Sequence, residues 1–337
     1  LYACALPDEY NGVEAHGTAF QRTKRDHIGK SFERRRQLAP AVKNLVYYQC
    51  FLDVTDEAPG LYADSRVLLA NGVQGDYGRP IPLVRNFFPT EANSFGAAMA
   101  KNLDIIFDEI HADGIFWDEH EYSRWKYHYG EPWDGVSADI DPDKLTIRQL
   151  KSSITLITEA WRLALAKRVL ARGPLVGNGP PLTRAMAALK FPCFAETRTI
   201  SNCTQSHLHS PIALGDFGLE QSEWDAYQTM LAALDYGCVY HWSDDVVVPT
   251  HRHLTSYMYP ITPVELHEGF IIGRERIITR RSGSFGWGDA SQCEVYVFDQ
   301  DGREVSKFSA PTIRRDGKTY TELRLPEYWS AALVRIP

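Results

Sequence analysis

Residues 113–123 read DGIFWDEHEYS: an apolar run from Gly114 to Trp117 passes without a break into Asp118, Glu119, His120 and Glu121. A run this short and uniformly apolar has the pattern of a strand buried on both faces of a parallel sheet. The change of polarity at Asp118 marks where such a strand would leave the sheet. Seven other segments read the same way, at 2–6, 45–51, 82–86, 175–178, 191–196, 212–214 and 238–242. Helical stripes lie between them. Met99, Leu103, Ile106, Phe107 and Ile110 share one face, as do Leu150, Ile154, Ile157, Trp161 and Leu165. Trp224, Tyr227, Leu231 and Leu234 form a third stripe, with Ser222 as its expected N-cap.

Strand and helix alternating over about 250 residues predict a (β/α)8 TIM barrel covering 1–258. The alternative is an open doubly wound sheet, but no G-x-G-x-x-G follows a strand. Beyond about Pro260 the pattern becomes short β segments at 265–272, 276–279, 294–299, 305–308, 319–325 and 331–336. Asp301-Gly302 and Asp316-Gly317 are hairpin turn pairs. A C-terminal antiparallel β-sandwich domain over 259–337 is the expectation.

The formal charge is −7, from 36 basic and 43 acidic residues. That argues against nucleic acid as a partner, which would call for a basic face. The cluster Lys24, Arg25, Arg34, Arg35 and Arg36 reads as a solvated helix face. With no apolar run of about 18 residues, no membrane span is expected. The chain begins at Leu1, the start expected of a processed chain or of one cut from a longer protein with further domains in front. No signal peptide is legible, which leaves the compartment open, secreted or periplasmic included. The six cysteines, Cys4, Cys50, Cys193, Cys203, Cys238 and Cys293, include no C-x-x-C pair and read mostly as small buried thiols. No cofactor is expected, and no metal. His207/His209 and His251/His253 are i,i+2 pairs with no third ligand evident in sequence. Asp139 to Asp143 resembles part of a calcium loop, yet lacks its Gly and terminal Glu, and Pro142-Asp143 reads more simply as a helix start.

In a barrel the active site lies at the C-terminal ends of the strands. Asp118 and Glu119 would emerge at that rim, with Trp117, His120 and Glu121 beside them and Trp125, Tyr127, Tyr129 and Trp133 in the loop beyond. Carboxylates next to flat rings suit a pyranose, whose apolar face stacks while its hydroxyls donate. Glycoside hydrolysis ordinarily needs a second carboxyl group. Glu196, at the end of the sixth strand and two residues before Arg198, is the first candidate for acid/base. Asp216, Asp244 and Asp245 compete with it. Tyr47, Tyr48, Arg85, Asn86, Asn178, His241 and Trp242 reach the same rim as candidate subsite residues.

Residues 113–123 resemble the nucleophile motif of the α-glucosidase and α-xylosidase family of retaining glycoside hydrolases, roughly D-G-aliphatic-W-x-D-M-N-E-P-S. Asp113, Gly114, Asp118, Glu121 and Ser123 match in place; Glu119, His120 and Tyr122 depart from it, and the Trp is shifted by one position. The order of a barrel followed by β-domains is similar too. The resemblance implies a clan relationship, Asp118 as nucleophile and a carbohydrate substrate. The adjacent Asp118-Glu119 pair is also similar to the substrate-assisted N-acetylhexosaminidases, where the Asp orients a 2-acetamido group and the Glu is the acid. The reading is therefore a retaining hydrolase of an oligo- or polysaccharide, with Asp118 attacking and Glu196 as acid/base about 5–5.5 Å away. A non-catalytic carbohydrate-binding barrel and a metal-dependent barrel hydrolase are the remaining alternatives.

Overall fold

The computed structural model describes residues 2–78, 84–196, 212–214, 220–242 and 247–336, without the side chains of Ala195, Glu196 and Leu214. The chain divides into two compact units, residues 1–192 and 193–337. The change from α/β to antiparallel β near residue 260 falls inside the second unit.

The first unit is built on parallel strands β1 (Tyr2–Ala5), β2 (Lys43–Tyr48), β3 (Gly114–Trp117) and β4 (Leu175–Asn178), hydrogen-bonded in that order. Register sets Tyr48 beside Trp117 and Trp117 beside Gly177, so the C-terminal ends of three strands are level. Helices α1 (Asp26–Leu38), α2 (Ser94–Asp104) and α3 (Glu159–Leu170) connect them. Helix α2 starts on Asn93, whose side chain accepts from the Gly96 N–H, and runs on into a π-turn at Ile105–Glu109. Its whole predicted stripe is buried, Ile110 included.

Several expectations need correction. Of the segment expected at 82–86, the described residues 84–86 are not a strand of the parallel sheet. Arg85–Asn86 pairs antiparallel with Leu52–Asp53 in a two-stranded ribbon, and β2 lies directly against β3. The apolar run had the right composition, but its neighbour in space is the loop after β2. The ribbon is tied down by Asp53, whose carboxylate accepts from the backbone and hydroxyl of both Thr18 and Thr55. Next, Leu150 does not belong to a helix. It ends the strand Ile147–Leu150, which pairs with Ala138–Ile140, and it is exposed. Pro142, Asp143 and Lys144 form the turn of that hairpin, so the expected helix start at Pro142-Asp143 is also wrong. Finally, Trp224 is 52% exposed, although Tyr227, Leu231 and Leu234 of its stripe are buried.

The second unit opens with parallel strands β5 (Cys193–Glu196), β6 (Ile212–Leu214) and β7 (Val239–His241). Helix α4 (Glu223–Asp235) precedes β7 and is capped by Ser222, as expected. An antiparallel sheet follows, made of β8 (Pro263–His267), β9 (Phe270–Gly273), β10 (Arg276–Thr279), β12 (Cys293–Phe298) and β15 (Ser330–Arg335). A second sheet holds β11 (Gly283–Phe285), β13 (Thr312–Arg315) and β14 (Lys318–Leu323). Ile277, Val297, Ala331 and Leu333 of one sheet and Phe285 and Leu323 of the other meet in one core. Asp316-Gly317 makes the β13–β14 turn with φ +50° and +74°, the signs a tight hairpin requires. Residues 305–308 form no strand. No helix among the described residues is long and apolar enough to cross a membrane.

The start of β3 is packed backbone to backbone. A Cβ on Gly114 would stand 1.9 Å from the Pro174 carbonyl oxygen, which accepts the Ile115 N–H at 3.1 Å. Gly114→Ala should therefore destabilise the chain by about 1–3 kcal/mol, read as a lower urea midpoint; an unchanged midpoint would contradict this packing.

Candidate active site

Side chains alternate across a strand, and parity decides which residues reach the site. Tyr47 and Phe116 lie on one face, with ring centroids 5.7 Å apart. Tyr48 and Trp117 lie on the other, 5.8 Å apart and fully buried, and the Tyr48 hydroxyl donates to the Met99 carbonyl of α2. Of the tyrosine pair, Tyr47 faces the site and Tyr48 faces the helices. Trp117 is likewise a core residue, so its expected contact with sugar is corrected.

Asp118 follows β3 with the parity of Phe116. Its Oδ2 accepts from the Tyr47 hydroxyl at 2.7 Å, and its Oδ1 accepts from the Asn178 amide at 2.7 Å. The side chain is half-buried, and each oxygen is held by a group at the C-terminal end of a neighbouring strand. Glu119 comes next, with φ +46°. That left-handed residue turns the chain sharply and brings its carboxylate to Gln49, whose amide donates at 2.8 Å, and to the Ser123 hydroxyl.

His120 and Glu121 turn inward. His120 is fully buried, donates from Nδ1 to the Asn178 carbonyl at 2.9 Å, and is pushed down to about 3 by burial, so it is neutral at pH 7. Glu121 is 5% exposed and pairs with buried Arg162 of α3 at 2.9 Å. Its carboxyl is raised above its ordinary value by burial, against the opposing pull of Arg162. Neither presents a polar atom to substrate from those positions; both support the turn. Asp113 also has a structural task. It lies at the opposite end of β3 and accepts from the Asn44 backbone N–H at 2.7 Å.

Two residues that sequence reading missed come from the hairpin after β1. Glu14 and His16 lie 3.6 Å apart, and the His16 ring is 5.8 Å from that of Tyr47. Burial, then the charge of Asp118, pushes the Glu14 carboxyl up to about 7. Burial pulls His16 down to about 4, opposed by Asp118. Gly17, at φ +66°, lets this segment fold tightly; a Cβ there would stand 2.3 Å from the Leu52 carbonyl oxygen. The only signal in sequence was that a Glu and a His closely follow an expected strand end.

The other candidates are scattered. Arg85 is half-buried in the ribbon with Asp53, and Asn86 is buried, donating to the Ser123 carbonyl. Trp125 donates to the Asp76 carbonyl and carries the Arg124 guanidinium 5.5 Å above its ring. His241 is exposed, with Nδ1 3.1 Å from the Trp242 carbonyl. Trp242 is partly buried against Tyr240 and His253. Glu196 ends β5, but its side chain lies outside the described residues, as do Arg198, His207, His209, Asp216, Asp244 and Asp245. Of the cysteines, Cys50, Cys193 and Cys238 are buried, Cys4 is exposed and Cys293 half-buried.

No family model matches the chain, and no curated protein does. Solved structures do superpose on it. A noncanonic maltogenic α-amylase of Thermotoga neapolitana has TM-score 0.45 and 10% identity, over 99% of this chain and 89% of that one. A dextranase of Flavobacterium johnsoniae solved with isomaltotriose has TM-score 0.48 and 9% identity, over 92% and 45%. An enzyme solved with cyclobis-(1→6)-α-nigerosyl has TM-score 0.46 and 10% identity, over 91% and 50%. The chain spans about half the length of the last two.

For Glu14 the sign of the pH effect is fixed. The folded chain keeps a proton that the unfolded chain releases near 4.5, so this group's contribution is full below about 4.5 and is lost as pH rises to about 7. Carboxyl-carbon NMR should find a glutamate titrating near 7 that vanishes in Glu14→Gln. In Asp118→Asn it should move down, yet stay above the ordinary value, because burial is the larger cause. A Glu14 resonance titrating at its ordinary value would refute this environment.

Proposed function

We propose that the chain is a retaining glycoside hydrolase of oligo- or polysaccharides, with a (β/α)8-type barrel over 1–258 and a β-sandwich domain over 259–337. The observation that carries it is Asp118, held through both oxygens by Tyr47 and Asn178 at the C-terminal edge of parallel strands. A carboxylate gripped by two neutral donors is fixed in direction, as a nucleophile approaching an anomeric carbon must be. Asp118 attacks that carbon and forms a glycosyl-enzyme; an acid protonates the departing oxygen and then activates water. Glu196 takes the acid/base role on its sequence position at the end of β5.

A second assignment of the acid is favoured by a specific observation. Glu14 is electrostatically coupled to Asp118 and holds its proton to about 7, the property an acid working near neutrality requires. The substrate-assisted alternative uses Asp118 with Glu119 and predicts activity confined to 2-acetamido sugars.

Incubation with α- and β-linked glycans, with product anomers followed by proton NMR, tests the reading. Asp118→Asn should lose at least about 10⁴-fold in kcat/KM while its circular dichroism is unchanged. A covalent cyclitol probe should label Asp118. Loss of Glu14 or Glu196, whichever is the acid, should hurt poor leaving groups most and be rescued by azide. Full activity in Asp118→Asn, or glycan binding with no product from any linkage, would exclude this chemistry.

A further inference from the structure

The second unit holds a cluster that the glycosidic reading does not use. Glu223 is the first residue of α4, and His251 and His253 come from the segment after β7. One ligand atom from each lies within 4.8 Å of the others. His251 Nδ1 is 2.8 Å from Glu223 Oε2, and His253 Nε2 is 3.5 Å from the same oxygen. The two imidazoles stand with centroids 4.0 Å apart.

Position alone would not make this a site; the unmet valences do. His253 is 1% exposed; its Nδ1 has no hydrogen-bond partner, and its Nε2 has only the 3.5 Å approach of Glu223 Oε2. The Nε2 of His251 is buried and unpartnered as well. A buried imidazole with one nitrogen unsatisfied and the other only weakly held is costly unless something else binds there. Glu223 is already aimed, because the Thr250 N–H donates to its Oε1 and leaves Oε2 turned to the two rings. Such outer-shell contacts are what orient a metal-binding carboxylate. With bonds of about 2.0–2.1 Å, tetrahedral ligand atoms lie about 3.3 Å apart. The 3.5 Å separation fits that, and the 2.8 Å one is a hydrogen bond that opens slightly when an ion enters.

We propose that Glu223, His251 and His253 bind one divalent ion of the zinc class, clipping the segment that carries both histidines to the first turn of α4. Two imidazoles and one carboxylate suit zinc, cobalt or nickel rather than calcium or magnesium, which prefer all-oxygen sets. The sequence showed only the i,i+2 histidines; the third ligand is 28 residues earlier, between Glu223 and His251, and is brought in by the fold.

The test uses the 337-residue chain and metal alone. Titration of the metal-free protein with cobalt(II) should give one equivalent bound, with the visible ligand-field bands of a four- or five-coordinate ion, displaced by one equivalent of zinc(II). Glu223→Gln and His251→Ala should each weaken binding at least 10-fold, whereas His267→Ala, at an exposed histidine beside Glu265, should leave it unchanged. X-ray absorption of the zinc-loaded wild type should show two imidazoles, a readout that holds even if a variant fails to fold. Absence of stoichiometric binding, an oxygen-only coordination shell, or wild-type affinity in both ligand variants would overturn the proposal.

Discussion

Arg162 is wholly buried, and its guanidinium meets three partners. It meets Glu121 at 2.9 Å, donates to the Thr155 carbonyl at 2.7 Å and to the Thr158 hydroxyl at 3.0 Å. Replacing such an ion pair by apolar groups can be neutral, but leaving one partner unpaired costs about 3–5 kcal/mol. The segment after β3 is therefore restricted to conformations that deliver Glu121 to α3. That delivery forces the reversal at Glu119, packs His120 beneath Asn178, and leaves Asp118 at the strand end facing Tyr47. The candidate site is the visible edge of a turn whose anchor is in the core.

The same anchoring explains how one acidic stretch splits into different tasks. Asp118 and Glu119 stay at the rim, held by neutral donors from β2, β4 and the turn itself. His120 and Glu121 are taken inside, where burial keeps the imidazole neutral and raises the carboxyl. Four consecutive polar residues thus occupy four electrostatic environments. Glu14 adds another: a partly buried carboxyl whose proton is retained chiefly because of its burial, with the charge of Asp118 adding to the effect.

Much of this architecture was legible. Buried parallel strands announce themselves as short apolar runs, and seven of the eight expected runs overlap strands of the parallel sets. Ser222 and the Asp316-Gly317 turn were equally plain, because a cap or a tight turn is a contact between near neighbours in the chain. The failures have one cause. Val84 to Asn86, the described part of the run at 82–86, are buried or half-buried, but Arg85 and Asn86 pair with the loop after β2 rather than with the parallel sheet. Leu150 continues a helical period by accident while its partner is Ala138 across a hairpin. Tyr48 and Trp117 carry the ring chemistry of a sugar platform and are used as core.

Sequence by itself determined where strands end, hence that Asp118 and Glu119 stand at a rim, since hydrophobic run length and a sudden change to charge are local properties. Tertiary structure alone decided which of two adjacent tyrosines faces the site, that Glu14 and His16 join Asp118, and that Glu223 meets His251 and His253. Those outcomes depend on strand parity, burial and charge between residues tens to over a hundred positions apart, and such distances are set only when the chain has folded.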